Sequence, residues 1–125
     1  MSAEKIAVIR EAIKSLRQLT FDTVGDDGVV RHRLVCAHVL GMKEDEWHVF
    51  TWQINDDSEH GFKEGAQRWR CFDLEDLSNI QSQAGEWHCG WTGGKRPQSC
   101  VDVIDTSVDA AHAAEVRSIS PSRTL

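Results

Sequence analysis

The chain has no tyrosine and only four cysteines, Cys36, Cys71, Cys89 and Cys100, in 125 residues. Those cysteines include no C-x-x-C pair, so the spacing that commonly holds zinc is missing. They are also too few and too scattered to read as a disulfide framework, and are expected to be isolated thiols of the buried kind. No run of about 18 apolar residues occurs, which excludes a membrane-spanning helix. The opening Met1-Ser2-Ala3-Glu4-Lys5 lacks the apolar core of an export signal, so a cytoplasmic location is expected. Basic residues are in deficit, with 14 Lys and Arg against 20 Asp and Glu and a net charge of −6. That balance argues against a protein that coats nucleic acid, while leaving room for a local basic stripe. Catalytic signatures are missing as well: there is no G-x-S-x-G, no H-E-x-x-H and no phosphate loop, and the run Gly90 to Lys95 has glycines and a lysine at the wrong spacing. A Cys–His nucleophile pair on Cys36, Cys71 or Cys89 has no local signature, and a zinc set drawn from Cys36, His38, Cys71, His88, Cys89 and Cys100 has no supporting spacing. No enzyme, no metal site and no cofactor are expected.

Hydrophobic residues make up 40% of the chain, and five tryptophans and four phenylalanines supply bulk for a modest core. Ile6, Ile9, Ile13 and Leu16 recur at the spacing of one helix face. Ser2 is placed to cap that helix, Glu4 falls in its first turn, Lys14 and Arg17 fall in its last turn, and the end is expected near Gln18. The pattern then shortens. Leu19 to Val24 reads as a strand, Asp26-Asp27-Gly28 as a turn, and Val29 to Leu40 as a strand long enough to require a bend or bulge. In that strand Val30, Leu34, Cys36 and Leu40 share one face, and Arg31 and Arg33 the other. Lys43 to Glu46 is a polar turn, Trp47 to Gln53 a third strand, and Ile54 to Gln67 a loop. Arg68 to Leu74 is a fourth strand and Glu75 to Leu77 a short turn or helix. Gly85 to Gln98 is irregular, Cys100 to Ile104 a last strand, and Thr106 to Val116 a short Ala-rich helix capped by Thr106 or Ser107. Residues 118–125 are expected to be a flexible tail behind a single domain of residues 1–117. One helix followed by closely spaced antiparallel strands predicts an α+β fold, with the helix packed on a small, strongly bent antiparallel barrel.

Several segments resemble the WYL-domain family of bacterial regulators. They are I-x-x-A-I at Ile9 to Ile13, R-x-R-L-V at Arg31 to Val35, W-H-V at Trp47 to Val49, and R-C-F-D-L-E-D-L at Arg70 to Leu77. The resemblance covers about Ile6 to Ile80. It implies an Sm-like or SH3-like barrel acting as a ligand-sensing module whose basic and aromatic residues bind nucleotides or nucleic acid. By motif position, Trp47, His48 and Val49 match the family's Trp-Tyr-Leu. Arg70 matches the first arginine of its basic strand, and Phe72 and Leu74 match that strand's core positions. Asp73 and Asp76 stand where the family has arginines, and Ala37 stands where it has proline, so anion binding is weakened. No helix-turn-helix of the kind that usually accompanies the domain is expected in the residues before Leu19.

Arg31, Arg33, Arg68 and Arg70, with His38 and His48, form the basic constellation. Guanidinium groups on neighbouring strands could converge on a phosphate or carboxylate; the plainer alternative is a set of solvated arginines paired with acidic neighbours. Trp87 and Trp91 offer either a stacking surface or core packing, and packing is the commoner role. The expected ligand-binding residues are Arg70, His48, Arg68, Arg33, His38 and Trp47, with Arg70 and His48 on one anionic group. The expected function is a non-catalytic, WYL-like sensing or adaptor module for a small anionic ligand, such as a nucleotide, or a partner protein. A homodimer is compatible with this reading. An oligonucleotide-binding accessory protein is the alternative, and a small metal-binding or hydrolytic protein a third.

Overall fold

The computed structural model describes residues 2–56, 69–87 and 98–108. Helix α1 (Ser2–Ser15) leads into strands β1 (Gln18–Val24), β2 (Val30–Lys43), β3 (Glu46–Asp56) and β4 (Trp69–Asp73). A single 3-10 turn (Leu74–Asp76) follows, then β5 (Ser78–Gln83) and β6 (Val103–Ser107). All pairings are antiparallel, in the order β4-β3-β2-β1-β5, with β6 on β2. The fold is therefore α+β: one helix packed on a six-stranded antiparallel sheet. β4 and β5 end the sheet without pairing to each other among the described residues, so the sheet is open rather than a closed barrel.

The helix starts at Ser2 itself and stops at Ser15, short of Gln18. Its end is a Schellman motif: the Arg17 N–H donates to the Ala12 carbonyl at 2.9 Å and the Leu16 N–H to the Ile13 carbonyl at 3.4 Å. Leu16 takes the left-handed position at φ 52°, where glycine is usual. Its side chain is buried against Cys36 and Trp87, so apolar burial offsets the backbone cost. Ile9, Ala12 and Ile13 seal the main core together with Leu19, Phe21, Val35, Ala37, Leu40, Val49, Phe72, Leu74 and Leu77.

β2 is long because it serves two partners on one side. Its first half pairs with β1 (Leu19 opposite Val35, Val24 opposite Val30) and its second half with β6 (Met42 opposite Val103). The required irregularity is present: the β2–β3 register shifts between Leu34 and Val35 and again between Ala37 and Val39, leaving His38 as the extra residue of a bulge. The bulges divide the apolar face expected for β2. Val35, Ala37 and Leu40 reach the main core, while Cys36 and Val39 cover the other side of the sheet. Arg33 shares the core side and is buried, whereas alternation put it on the face opposite the apolar residues. At the β2–β3 turn Glu44 and Asp45 both have positive φ (52° and 68°), the form that matches strand twist in a two-residue hairpin.

The sheet is strongly curled. Phe21 on β1 and Phe72 on β4 are separated by two intervening strands, yet their ring centroids lie 5.1 Å apart, edge to face, across the concave side. Gly41 lets β6 approach: a Cβ there would stand 2.1 Å from the Val103 carbonyl oxygen and 2.4 Å from Val101 Cγ1. The last strand runs Val103–Ser107, later than expected, so Thr106 and Ser107, expected to begin a helix, belong to the strand. Ile54 to Asp56, expected to open a loop, extend β3, and residues 57–67 of that expected loop, the remainder of the expected helix and the expected 118–125 tail lie outside the described residues. β5 was not foreseen, because S-N-I-Q-S-Q is almost wholly exposed and has no apolar alternation.

Candidate functional site

β3 and β4 decide which candidates can meet. Alternation places Trp47, Val49, Thr51 and Gln53 on the concave face and His48, Phe50 and Trp52 on the convex face. The ladder pairs Thr51 with Arg70 and Val49 with Phe72, but His48 with Asp73 and Phe50 with Cys71. Arg70 therefore shares the concave face with Phe72, and His48 lies on the other face. The expected convergence of Arg70 and His48 on one ligand group does not occur. A motif alignment supplies positions along each strand and not the parity between strands.

Arg33 and Arg70 both lie against Phe72. The Arg33 guanidinium carbon lies 5.4 Å from the Phe72 ring centroid and that of Arg70 lies 5.5 Å from it, so both cations meet the same ring. Arg33 is buried and fixed: its Nε donates to Thr23 Oγ1 at 3.1 Å and an Nη donates to Gln53 Oε1 at 2.9 Å. Arg70 is exposed, and its guanidinium has no carboxylate partner among the described residues. Its backbone carbonyl accepts from Thr51 Oγ1 at 3.0 Å, which holds the strand in place while the side chain reaches solvent. Arg31, the third arginine of the group, is paired with Asp27 at 3.0 Å.

The other candidates have different surroundings. Trp47 is on the concave face but at the opposite end of β3, packed against the main core. His38 is buried on the bulge between Trp69 and Trp87, with ring centroids at 4.8 and 4.5 Å, and Trp69 stacks on Phe50. That burial gives His38 a packing role, and Trp87 is core as well. Buried Trp87 Nε1 has no hydrogen-bond partner among the described residues. Arg68, Trp91, His88 and Cys89 lie outside the described residues. Cys71 and Cys100, read from the sequence as isolated thiols, form a disulfide across 29 residues of chain, because the segment leading into β6 passes over β4. Cys36 is buried and lies outside that disulfide.

A shallow polar cleft on the convex face, lined in part by Thr20, Asp22, His32, Asn79 and Gln81, was not anticipated. His32 Nδ1 meets one Asp22 oxygen, and Asn79 Nδ2 donates to the other at 2.8 Å. The Asn79 amide first, and His32 second, hold the Asp22 carboxyl below the usual carboxylate range. With both oxygens engaged, the carboxylate is structural, tying β5 to β1 and β2. The sequence signal was an Asp–His pair on adjacent strands, visible only once the register is known.

No protein-family model matches the chain, and no curated protein does. No helix among the described residues is long and apolar enough to cross a membrane. Among solved structures the fold is similar to that of proteasome accessory factor B/C (PafBC) of Arthrobacter aurescens, with a TM-score of 0.51 and 16% identity. That match covers 64% of this chain and 11% of the other, and at this identity the likeness is one of fold.

Proposed function

We propose that the chain is a WYL-like sensing or adaptor module, its curled sheet a variant of the Sm/SH3-like barrel, and that it binds a small anionic ligand or an acidic group of a partner protein at the Arg33–Phe72–Arg70 end of the concave face. The observation that carries this reading is the pairing of a fixed, buried guanidinium with an exposed one on a single aromatic ring. Arg33 supplies a preorganised positive field. Arg70 supplies a planar fork free to close on a phosphate or carboxylate. The fold likeness supports the reading, because PafBC is a WYL-domain-containing regulator. The net charge of −6, and Asp73 and Asp76 on or beside the same strand, favour a small or single anionic group over a nucleic-acid backbone.

The test is a thermal-shift screen of nucleotides and small phosphates or carboxylates, since a ligand that binds only the folded state raises the melting point. Arg70→Lys keeps the charge and loses the fork. It should weaken any hit by about tenfold, roughly 1.4 kcal/mol, and leave the ligand-free melting point unchanged. A fall in melting point with unaltered ligand affinity would make Arg70 structural and remove the site. Oligonucleotide affinity that falls steeply with salt would replace the proposal with a nucleic-acid role.

A further inference from the structure

On the convex face, away from the arginine site, four potential ligand or orienting groups gather around His48. His48 Nδ1 lies 3.9 Å from Cys71 Sγ, and the donor atoms of His48, Cys71 and Cys100 lie within 4.8 Å of one another. His48 Nε2 faces Glu46 Oε1 at 3.9 Å, and the donor atoms of Glu46, His48 and Asp73 also lie within 4.8 Å of one another. β3 and β4 create the arrangement. Glu46 and His48 alternate on one strand, Cys71 and Asp73 on the next, and the ladder sets His48 opposite Asp73. Cys100 is delivered from above and anchored by Val39, Phe50 and Val101.

We propose that this cluster is a redox-gated zinc site: closed while Cys71 and Cys100 are joined, and able to hold one Zn²⁺ once they are reduced. The ligands are the Cys71 and Cys100 thiolates and His48 Nδ1, with the Asp73 carboxylate, grouped with His48 within 4.8 Å, as the further donor for the fourth position. Two thiolates and an imidazole suit zinc rather than magnesium or calcium, which take oxygen ligands. Glu46 orients the site, because its carboxylate faces the nitrogen that does not bind. Drawn in from 3.9 Å to hydrogen-bond distance when the metal binds, it would accept the Nε2–H and fix the tautomer that leaves the Nδ1 lone pair for the metal. Tetrahedral Zn–S bonds of about 2.3 Å set the sulfurs about 3.8 Å apart. The Cα atoms of the pair are 5.7 Å apart, so rotation about the side-chain bonds can open the sulfurs to that separation without moving the strands.

Opening the site requires a small-molecule thiol as reductant. By exchange, two RSH molecules break the Cys71–Cys100 S–S bond and end as RSSR. Two protons and two electrons pass to the protein as two S–H groups. Zinc then displaces both thiol protons to water, and neutral His48 releases none. A reducing compartment holds the pair open, and an oxidising one expels the metal.

The experiment uses the full chain, reduced with dithiothreitol, freed of thiol and metal by desalting, and titrated with Co²⁺ and then Zn²⁺. One Co²⁺ per chain should bind to the reduced protein, with thiolate-to-cobalt charge transfer and tetrahedral d–d absorption, and Zn²⁺ should displace it. Oxidised protein should bind none, and Zn²⁺ should raise the melting point of the reduced form alone. Glu46→Gln should weaken Zn²⁺ affinity about 10- to 100-fold, and His48→Ala at least as much. Cys36→Ser and Cys89→Ser should leave it unchanged. Equal binding by the oxidised chain, no stoichiometric binding by the reduced chain, or binding lost in Cys89→Ser but kept in His48→Ala would each overturn the proposal. The redox comparison and the partly buried His48 keep the test decisive even if Cys71→Ser fails to fold.

Discussion

Reducing the Cys71–Cys100 disulfide in the presence of a chelator should cost a large share of the protein's stability. The bond closes a loop across 29 residues. In the chain-entropy model the denatured state of the cross-linked protein loses about 2.1 + 1.5R ln n cal/mol/K, roughly 12 cal/mol/K at this length, or about 3.5 kcal/mol at 25 °C. Native geometry changes little on reduction, because Cys100 remains packed with Val39, Phe50 and Val101 and β6 remains paired with β2. The loss should therefore fall on the unfolded state. With an unfolding entropy of about 2.1 cal/mol/K per residue, a domain of this size shifts about 4 °C per kcal/mol, so the melting point should drop by roughly 10–15 °C. The assay is thermal unfolding followed by circular dichroism, with EDTA present, of oxidised, reduced and Cys71→Ser/Cys100→Ser protein. The last two should coincide, and Cys36→Ser should keep the full redox difference, since Cys36 is not part of the disulfide. A redox shift below about 4 °C would refute the reasoning, because it would mean that loop closure contributes less than about 1 kcal/mol.

Arg33→Met should destabilise the fold by about 2–3 kcal/mol in urea unfolding, because Thr23 and Gln53 lose a charged, buried partner; an unchanged midpoint would make Arg33 a dispensable surface group. Gly41→Ala should cost about 2–3 kcal/mol, and amide exchange should show β6 lifting from β2, since the new methyl meets Val103 backbone; retained protection of Thr106 and Ile104 would count against the close approach. Arg10 grips Asp105 with two 2.9 Å bonds, joining α1 to β6, and that hydrogen bonding first, with charge attraction behind it, holds the Asp105 carboxyl below its ordinary value of 3.8. A lowered folded-state pKa gives stability that is complete above that ordinary value and lost as pH falls through the folded value. The melting-point gap between wild type and Arg10→Gln should therefore be constant near neutrality and close below about pH 4, and a gap that persists to pH 2 would show that the pair is not its source.

Local rules determined a large part of this protein. Isoleucine spacing marked α1, and Asp26-Asp27-Gly28 and the polar Lys43–Glu46 turn marked the hairpins. Alternation marked four consecutive antiparallel strands, because each of these features depends on residues a few positions apart. The length of β2 even called for a bulge, which the structure places at His38. The tertiary structure decided what depends on register and curl. The β1–β2 register set Arg33 opposite core Phe21, on the face that also carries Val35 and Ala37. Strand parity separated His48 from Arg70 and joined it to Cys71, Cys100, Glu46 and Asp73. The return of the chain over β4 closed a disulfide across a spacing with no motif in it. β5 escaped notice because a polar edge strand is held by its ladder and by Asp22–Asn79, neither of which leaves an apolar period in the sequence. A sequence specifies which residues share a strand face; which faces meet is fixed by cross-strand hydrogen bonding and by burial of the common core, and both candidate sites of this protein rest on those meetings.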